Sequence, residues 1–160
     1  MAAKKRKEAG SDGAICKNRR AAQKYSLGER MEAGVVLQGT EVKACREGKA
    51  HLNDAYVQVN KGEAFLVNAH IAEYAYGNRQ NHEPTRTRKL LLHAKEIHKL
   101  AVRIHERGAT VIPLAMYFNE KGRVKVEIAL AAGKTHSDQR ETIKQRDVNR
   151  ELRRTMRRRR

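Results

Sequence analysis

The chain has 160 residues, with 35 Lys or Arg against 18 Asp or Glu and a formal net charge of +17. That length suits one domain with tails to spare, and the cationic excess points to a phosphate polyanion as partner. Neither a membrane-spanning helix nor a secretory leader is expected: no apolar run approaches the roughly 20 residues of a spanning helix, and no apolar stretch follows the basic Lys4–Lys7.

In chain order, residues 1–17 carry Lys4, Lys5, Arg6 and Lys7 among Gly, Ser and Ala without an apolar period. They are expected to be disordered, either as a solvated tail or as a transient RNA clamp. Cys16 and Cys45 have no paired spacing for a disulfide framework or a zinc site, which suits a reducing cytoplasm. From Asn18 to Tyr25 a short basic turn or helix leads into the first strand, with Tyr25 and Leu27 on the core side. Val35, Val36 and Leu37, between Gly34 and Gly39, predict a largely buried strand segment. Thr40 is the expected cap of a helix with Glu41 in its first turn and Gly48 at its left-handed stop.

Tyr56, Val57 and Val59 begin the next strand, and residues 55–60 and 63–69 form a hairpin turned at Lys61-Gly62. Residues 73–87 read as a long polar loop broken by Gly77, Asn78, Asn81 and Pro84, and a loop of this length is more often functional than structural. Arg86, Arg88 and Lys89 then make a basic approach to Leu90-Leu91-Leu92, and all three are expected to face RNA. Ala94 to Arg107 is the clearest helix, with Ile97, Leu100, Ala101 and Ile104 on one face and Gly108 at its end.

Thr110–Phe118 and Arg123–Ala131 form a hairpin turned at residues 119–122. Val124, Val126, Ile128 and Leu130 point one way and Arg123, Lys125, Glu127 and Ala129 the other, the period of a sheet with one wet face. Pro113 lacks an amide hydrogen, so its strand is expected to be an edge or to bulge there. About six strands and two to three helices fit either a small antiparallel barrel or an α+β sandwich. Residues 134–160 hold eleven Lys or Arg against four acids. Ile143, Val148, Leu152 and Met156 give only a thin stripe, too little to fold alone until phosphate neutralises the self-repulsion.

Three enzyme-like signals fail on inspection. Gly133-Lys134-Thr135 ends like a phosphate-binding loop, but Ile128 stands where that motif needs its first glycine. His98 and His105 lie seven apart without a nearby cysteine or paired carboxylate, and His136, Ser137 and Asp138 are sequence neighbours, which does not make a relay. No catalytic residue, metal or cofactor is expected. With seven Tyr or Phe and no Trp, stacking on an open sheet is poorly supplied, so phosphate and sugar contacts to a folded RNA are favoured. Glu32 then reads either as an acceptor for base edges or 2′-hydroxyls or as a solubilising charge at a strand end.

The blocks EAGVVLQGTEVKACREGKAHLNDAY, Glu63 to Ile71, PTRTRKLLLH from Pro84, the strand pair from Tyr117 to Leu130, and Gly133-Lys134 stand in the order seen in one family. On these the chain resembles the SsrA-binding proteins, also called small protein B, which bind transfer-messenger RNA and rescue stalled bacterial ribosomes. The resemblance implies a barrel like that of oligonucleotide-binding domains over residues 18–133, mainly β with helices. It also implies a C-terminal tail over 134–160 that becomes helical in the empty mRNA channel of the small subunit, near the decoding centre of the 70S ribosome.

It further implies that Glu32, Leu91, His93 and Lys125 grip the elbow of the tRNA-like domain, although asparagine is common in the family where His93 stands. In the tail Gly133 and Lys134 match a family pair, and Asp138, Gln139 and Arg140 occupy a triplet whose middle residue is usually Lys. Elongation factor Tu is the further partner implied, through the charged RNA. The competing class is a structural or assembly protein of ribosomal RNA, with basic tails threading the fold.

Overall fold

A computed structural model describes residues 14–77, 79, 81–134, 147–150 and 156. Up to residue 133, nine strands and three helices run among the described residues in the order β1 (Ala14–Lys17), α1 (Ala21–Lys24), β2 (Tyr25–Val35), α2 (Gly39–Arg46), β3 (Ala50–His51), β4 (Tyr56–Asn60), β5 (Glu63–Val67), β6 (His70–Ile71), β7 (Arg88–Leu91), α3 (Ala94–Arg107), β8 (Thr110–Phe118) and β9 (Val124–Gly133). All pairings are antiparallel. The main sheet runs β1-β8-β4-β5-β7-β2-β9, and β8 also pairs with β9. That last pairing closes six strands into a ring, so the molecule is the small barrel and not the sandwich. β1 flanks β8 outside the ring, and β3 and β6 form a separate two-stranded ribbon.

Short-range chemistry accounts for the turns. Lys61 and Gly62 both take positive φ, 48° and 77°, as the two central residues of a tight hairpin turn must. Pro113 sits at a register shift between β8 and β9, a bulge that spares the ladder a missing donor. Gly108 takes φ 55° and stops α3 in the left-handed region.

The core fills the barrel with Val57, Ala64, Leu66, Leu90, Val111, Met116, Val126 and Ile128. Ala44 and Cys45 of α2 and Ile97 and Leu100 of α3 cover it. A smaller cluster lies on the outer wall, where Ile112, Leu114, Ala129 and Ala131 pack under Ala21 of α1, with Tyr25 and Leu27 beside them. The outer face of β9 is therefore open at Lys125 and Glu127 and covered from Ala129 onward.

Three local expectations change. Residues 14–17, assigned above to the N-terminal tail, pair with β8 as β1, because Ile15 and Cys16 pack on the core. β2 ends at Val35, and Val36 is exposed. Gln38, not Thr40, caps α2: its amide donates to Glu41 Oε2 at 2.6 Å, while the Thr40 hydroxyl lies 3.0 Å from Nδ1 of buried His82.

Candidate nucleic-acid interface

Three neighbouring strands bring most of the anticipated residues to one place. Gly34 of β2 is opposite Leu91 of β7 on one side and Lys125 of β9 on the other, and Lys125 is opposite Tyr117 of β8. Directly opposed residues share a face, so Leu91, Gly34, Lys125 and Tyr117 form one row across the outer wall. Glu32, two residues before Gly34, joins the same face. A Cβ at Gly34 would lie 3.2 Å from that of Leu91, so glycine is what lets the Leu91 side chain lie across β2. Leu91 remains 56% exposed there, an apolar surface ringed by charge.

Glu32 is held from two directions. Lys125 Nζ stands 3.4 Å from one carboxylate oxygen, and the Tyr117 hydroxyl donates to the other. Burial and the Glu32 contact both push the Tyr117 phenol well above its ordinary range, so it acts as a donor and does not ionise. On the next rung Glu32 faces Glu127, a like-charge pair that Lys125 and Arg30 offset, with Arg30 Nη1 3.5 Å from Glu127 Oε1. The wall thus alternates anion and cation and offers acceptors as well as donors, which suits base edges and 2′-hydroxyls beside phosphate.

His93 follows Leu91 by two residues and is the N-cap of α3, its amide donating to Glu96 Oε2 at 3.0 Å. That role fixes the backbone just after β7, and the residue is exposed there. Sequence reasoning missed Tyr117 and the part of Gly34. The five-residue hairpin connection 119–123 places Tyr117 opposite Lys125 once the register is counted, so that signal was present.

The basic approach Arg86-Thr87-Arg88-Lys89 does not behave as one cationic strip. Arg88 is a correction: its side chain is fully buried, with Nε donating to Glu41 Oε1 at 2.8 Å and Nη1 to the Ala69 carbonyl at 2.5 Å. Arg86 donates to both Glu41 oxygens, from Nη2 to Oε2 at 2.5 Å and from Nε to Oε1 at 2.8 Å, and is only partly open to solvent. Lys89 is exposed on the outer face and paired with Glu63. Parity along β7 turns Arg88 inward, and buried Glu41 is the anion that makes this tolerable.

At the far end of β9, Gly133 is opposite Tyr25. The Lys134 amide donates to the Lys24 carbonyl at 3.3 Å and its ammonium to the Ala22 carbonyl at 3.1 Å. These two residues fasten the root of the tail to α1, away from the Glu32 row. Residues 147–150 are helical, and Asp138, Gln139 and Arg140 lie outside the described residues. Among the described residues no group of three or more His, Cys, Asp or Glu is arranged to hold a metal, and no helix is long and apolar enough to cross a membrane.

Residues 15–158 match the family model described as SmpB protein. The chain is 51% identical over 157 residues to the SsrA-binding protein of Azorhizobium caulinodans, covering 98% of each chain. It is 56% identical over 138 residues to the SsrA-binding protein of Pelobacter propionicus, covering 86% of this chain and 90% of that one. It is also similar to a solved chain described as "tmRNA-SmpB: a journey to the center of the bacterial ribosome", with a TM-score of 0.65 and 41% identity over 80% of this chain and 93% of the other.

Proposed function

The chain belongs to the SmpB protein family, and from that premise we propose that it is an adaptor that binds SsrA RNA, the transfer-messenger RNA, and delivers it to stalled ribosomes. The observation that carries this reading is that one family description runs through barrel and tail together, residues 15–158. The two parts then belong to a single device. The barrel wall of Glu32, Lys125, Tyr117 and Leu91 is where the tRNA-like part of that RNA would rest, with His93 at its edge. Arg86, partly open to solvent beside Glu41, could lend a donor to phosphate, and Lys89 can exchange Glu63 for a phosphate; Arg88 is left out, being spent on the core.

The tail supplies the ribosomal half of the proposal. Its root is Gly133, opposite Tyr25, and Lys134, bonded to α1, and Asp138, Gln139 and Arg140 with the arginines beyond would meet the phosphate walls of the mRNA channel near the decoding centre. Elongation factor Tu would be a partner through the aminoacylated RNA and not through a surface of this chain. No bond is made or broken in this scheme, and its site of action is the cytoplasmic ribosome.

The test is to recover the protein from cells and sequence the RNA bound to it. SsrA RNA is expected to dominate, with the protein present on ribosomes at far below one copy each. A protein found at one copy per ribosome, without SsrA RNA, would make it a structural ribosomal component and overturn the reading.

A further inference from the structure

One feature of the loop between β6 and β7 has no part in the wall described above. Tyr76 is 82% exposed, more than any other exposed large hydrophobic side chain among the described residues. The described residues around it are joined by hydrogen bonds. The Asn81 side chain accepts from the Tyr74 amide at 3.1 Å and donates to the Tyr74 carbonyl at 2.9 Å, and the Gly77 amide closes a turn onto the same carbonyl at 2.8 Å. Any Cβ on Gly77 would collide with the Asn81 amide. Tyr74 and Tyr76 meet edge to face at 5.6 Å, so the outer ring is steadied by the inner one.

Two lysines belong to the surroundings of the loop. Lys43 of α2 stands over the Tyr74 ring at 5.2 Å. Lys49 is tied to the start of the loop through its carbonyl, which accepts from the Ala72 amide at 2.9 Å, and its ammonium is paired with Glu47 at 2.7 Å. An exposed aromatic face fixed by its own loop and flanked by ammonium groups is the arrangement that stacks a nucleobase while holding the neighbouring phosphates. A protein partner would have favoured a wider apolar surround, which these lysines deny it.

We infer that Tyr76, backed by Tyr74, is a stacking platform for an unstacked nucleobase of the same RNA that the Glu32 wall holds, with Lys43 and Lys49 meeting the flanking phosphates. The assignment rests on the RNA-binding reading above. Continuity of the chain places platform and wall in sequence: β2 passes through Glu32 and Gly34 and gives way to α2, which bears Lys43, and β7 leaves the tyrosine loop to reach Leu91. An RNA held by both would have to follow β2 from the wall into α2.

The chain contains no Trp, so Tyr76→Trp provides a single reporter at an exposed position. Titrating the full-length variant with the tRNA-like domain of SsrA RNA is expected to quench its fluorescence. In parallel, Tyr76→Ala is expected to lose roughly 5- to 100-fold in affinity for that RNA with an unchanged salt slope, and Tyr76→Phe to bind like the wild type. If the wild type prefers this RNA to random duplex but Tyr76→Ala matches it and Tyr76→Trp is not quenched, the platform is refuted while the RNA-binding reading stands. If quenching occurs with ribosomes and not with this RNA, the assignment is overturned in favour of a ribosomal contact. A wild type without any preference for SsrA RNA would overturn both.

Discussion

Arg88 Nε donates to Glu41 Oε1 at 2.8 Å, and neither side chain reaches solvent. Glu41 lies on α2 and Arg88 opens β7, so this contact fastens the helix after one wall strand to the start of another. Arg86 takes the second carboxylate oxygen and the Gln38 amide also donates to it. Burial alone would raise the Glu41 carboxyl; hydrogen bonds from Arg86, the Gln38 amide and Arg88 outweigh it and hold the group below its ordinary value of 4.5.

Glu41→Ala should therefore cost about 3–5 kcal/mol of folding stability, because it strands a buried guanidinium. A carboxyl whose folded pKa is depressed contributes stability above its unfolded value, and that contribution is lost as pH falls through the folded value. Urea unfolding of the wild type should show a loss of stability on acidification below 4.5 that Glu41→Gln lacks. Equal acid sensitivity in both would remove Glu41 as its source.

On the wall, Glu32→Ala should weaken binding to the tRNA-like RNA more than to random duplex RNA. Loss of a merely repulsive charge would tighten both. A hydrogen bond to a charged group is worth about 1.5–3 kcal/mol, so the specific loss should be roughly 10- to 150-fold. Tyr117→Phe should shift affinity the same way by less, since Lys125 still orients the carboxylate. Gel-shift titrations at fixed salt decide it, and tighter binding by the Glu32 variant would return that residue to a solubilising role.

Lys125 tests the electrostatic half of the same pair. If it leaves Glu32 for a phosphate, Lys125→Ala should lower affinity and reduce the salt slope by about 0.7–0.9, the contribution of one contact. A slope equal to that of the wild type would mean that Lys125 stays with Glu32 in the complex.

Gly34 and Leu91 form a seat and its occupant. Gly34→Ala places a methyl group 3.2 Å from the Leu91 Cβ, and the exposed leucine can swing away at little cost to the fold. The variant should keep its unfolding midpoint and lose about three- to tenfold in RNA affinity, as should Leu91→Ala, in line with losing part of one apolar side chain's burial. Unaltered RNA binding by Leu91→Ala would show that the exposed leucine lies outside the interface.

What could be read from the chain depended on the range of the signal. Lys61-Gly62, Pro113 and Gly108 declare a turn, a bulge and a helix stop through their own backbone chemistry, and each is found as such. Arg88 could not be read. It stands next to Lys89 before three leucines that give no parity, and the anion that draws it inward is 47 residues away. Thr40 likewise looked like a cap until His82 claimed its hydroxyl from 42 residues downstream. Glu32, Leu91 and Lys125 were named through resemblance; their convergence on Gly34 needed the pairing of β7, β2 and β9. Glu41, expected as a helix-dipole charge, is fully buried because its two partners come from another segment.

The tail separates delivery from acceptance. Lys134 is tied to α1 through the Ala22 and Lys24 carbonyls, so a stop after Lys134 preserves every described contact of the barrel with the tail root. The truncated protein should fold and bind the isolated tRNA-like RNA within about tenfold of the full chain. It should reach the ribosome with its RNA and yet fail to tag a stalled nascent chain, because residues 135–160 hold ten of the chain's Lys or Arg and only there would ribosomal phosphate neutralise them. RNA affinity, ribosome association and tagging are measured on one preparation. Tagging at the full-length rate would refute the division of labour, and a fall in RNA affinity beyond tenfold would move the tail into the RNA grip itself.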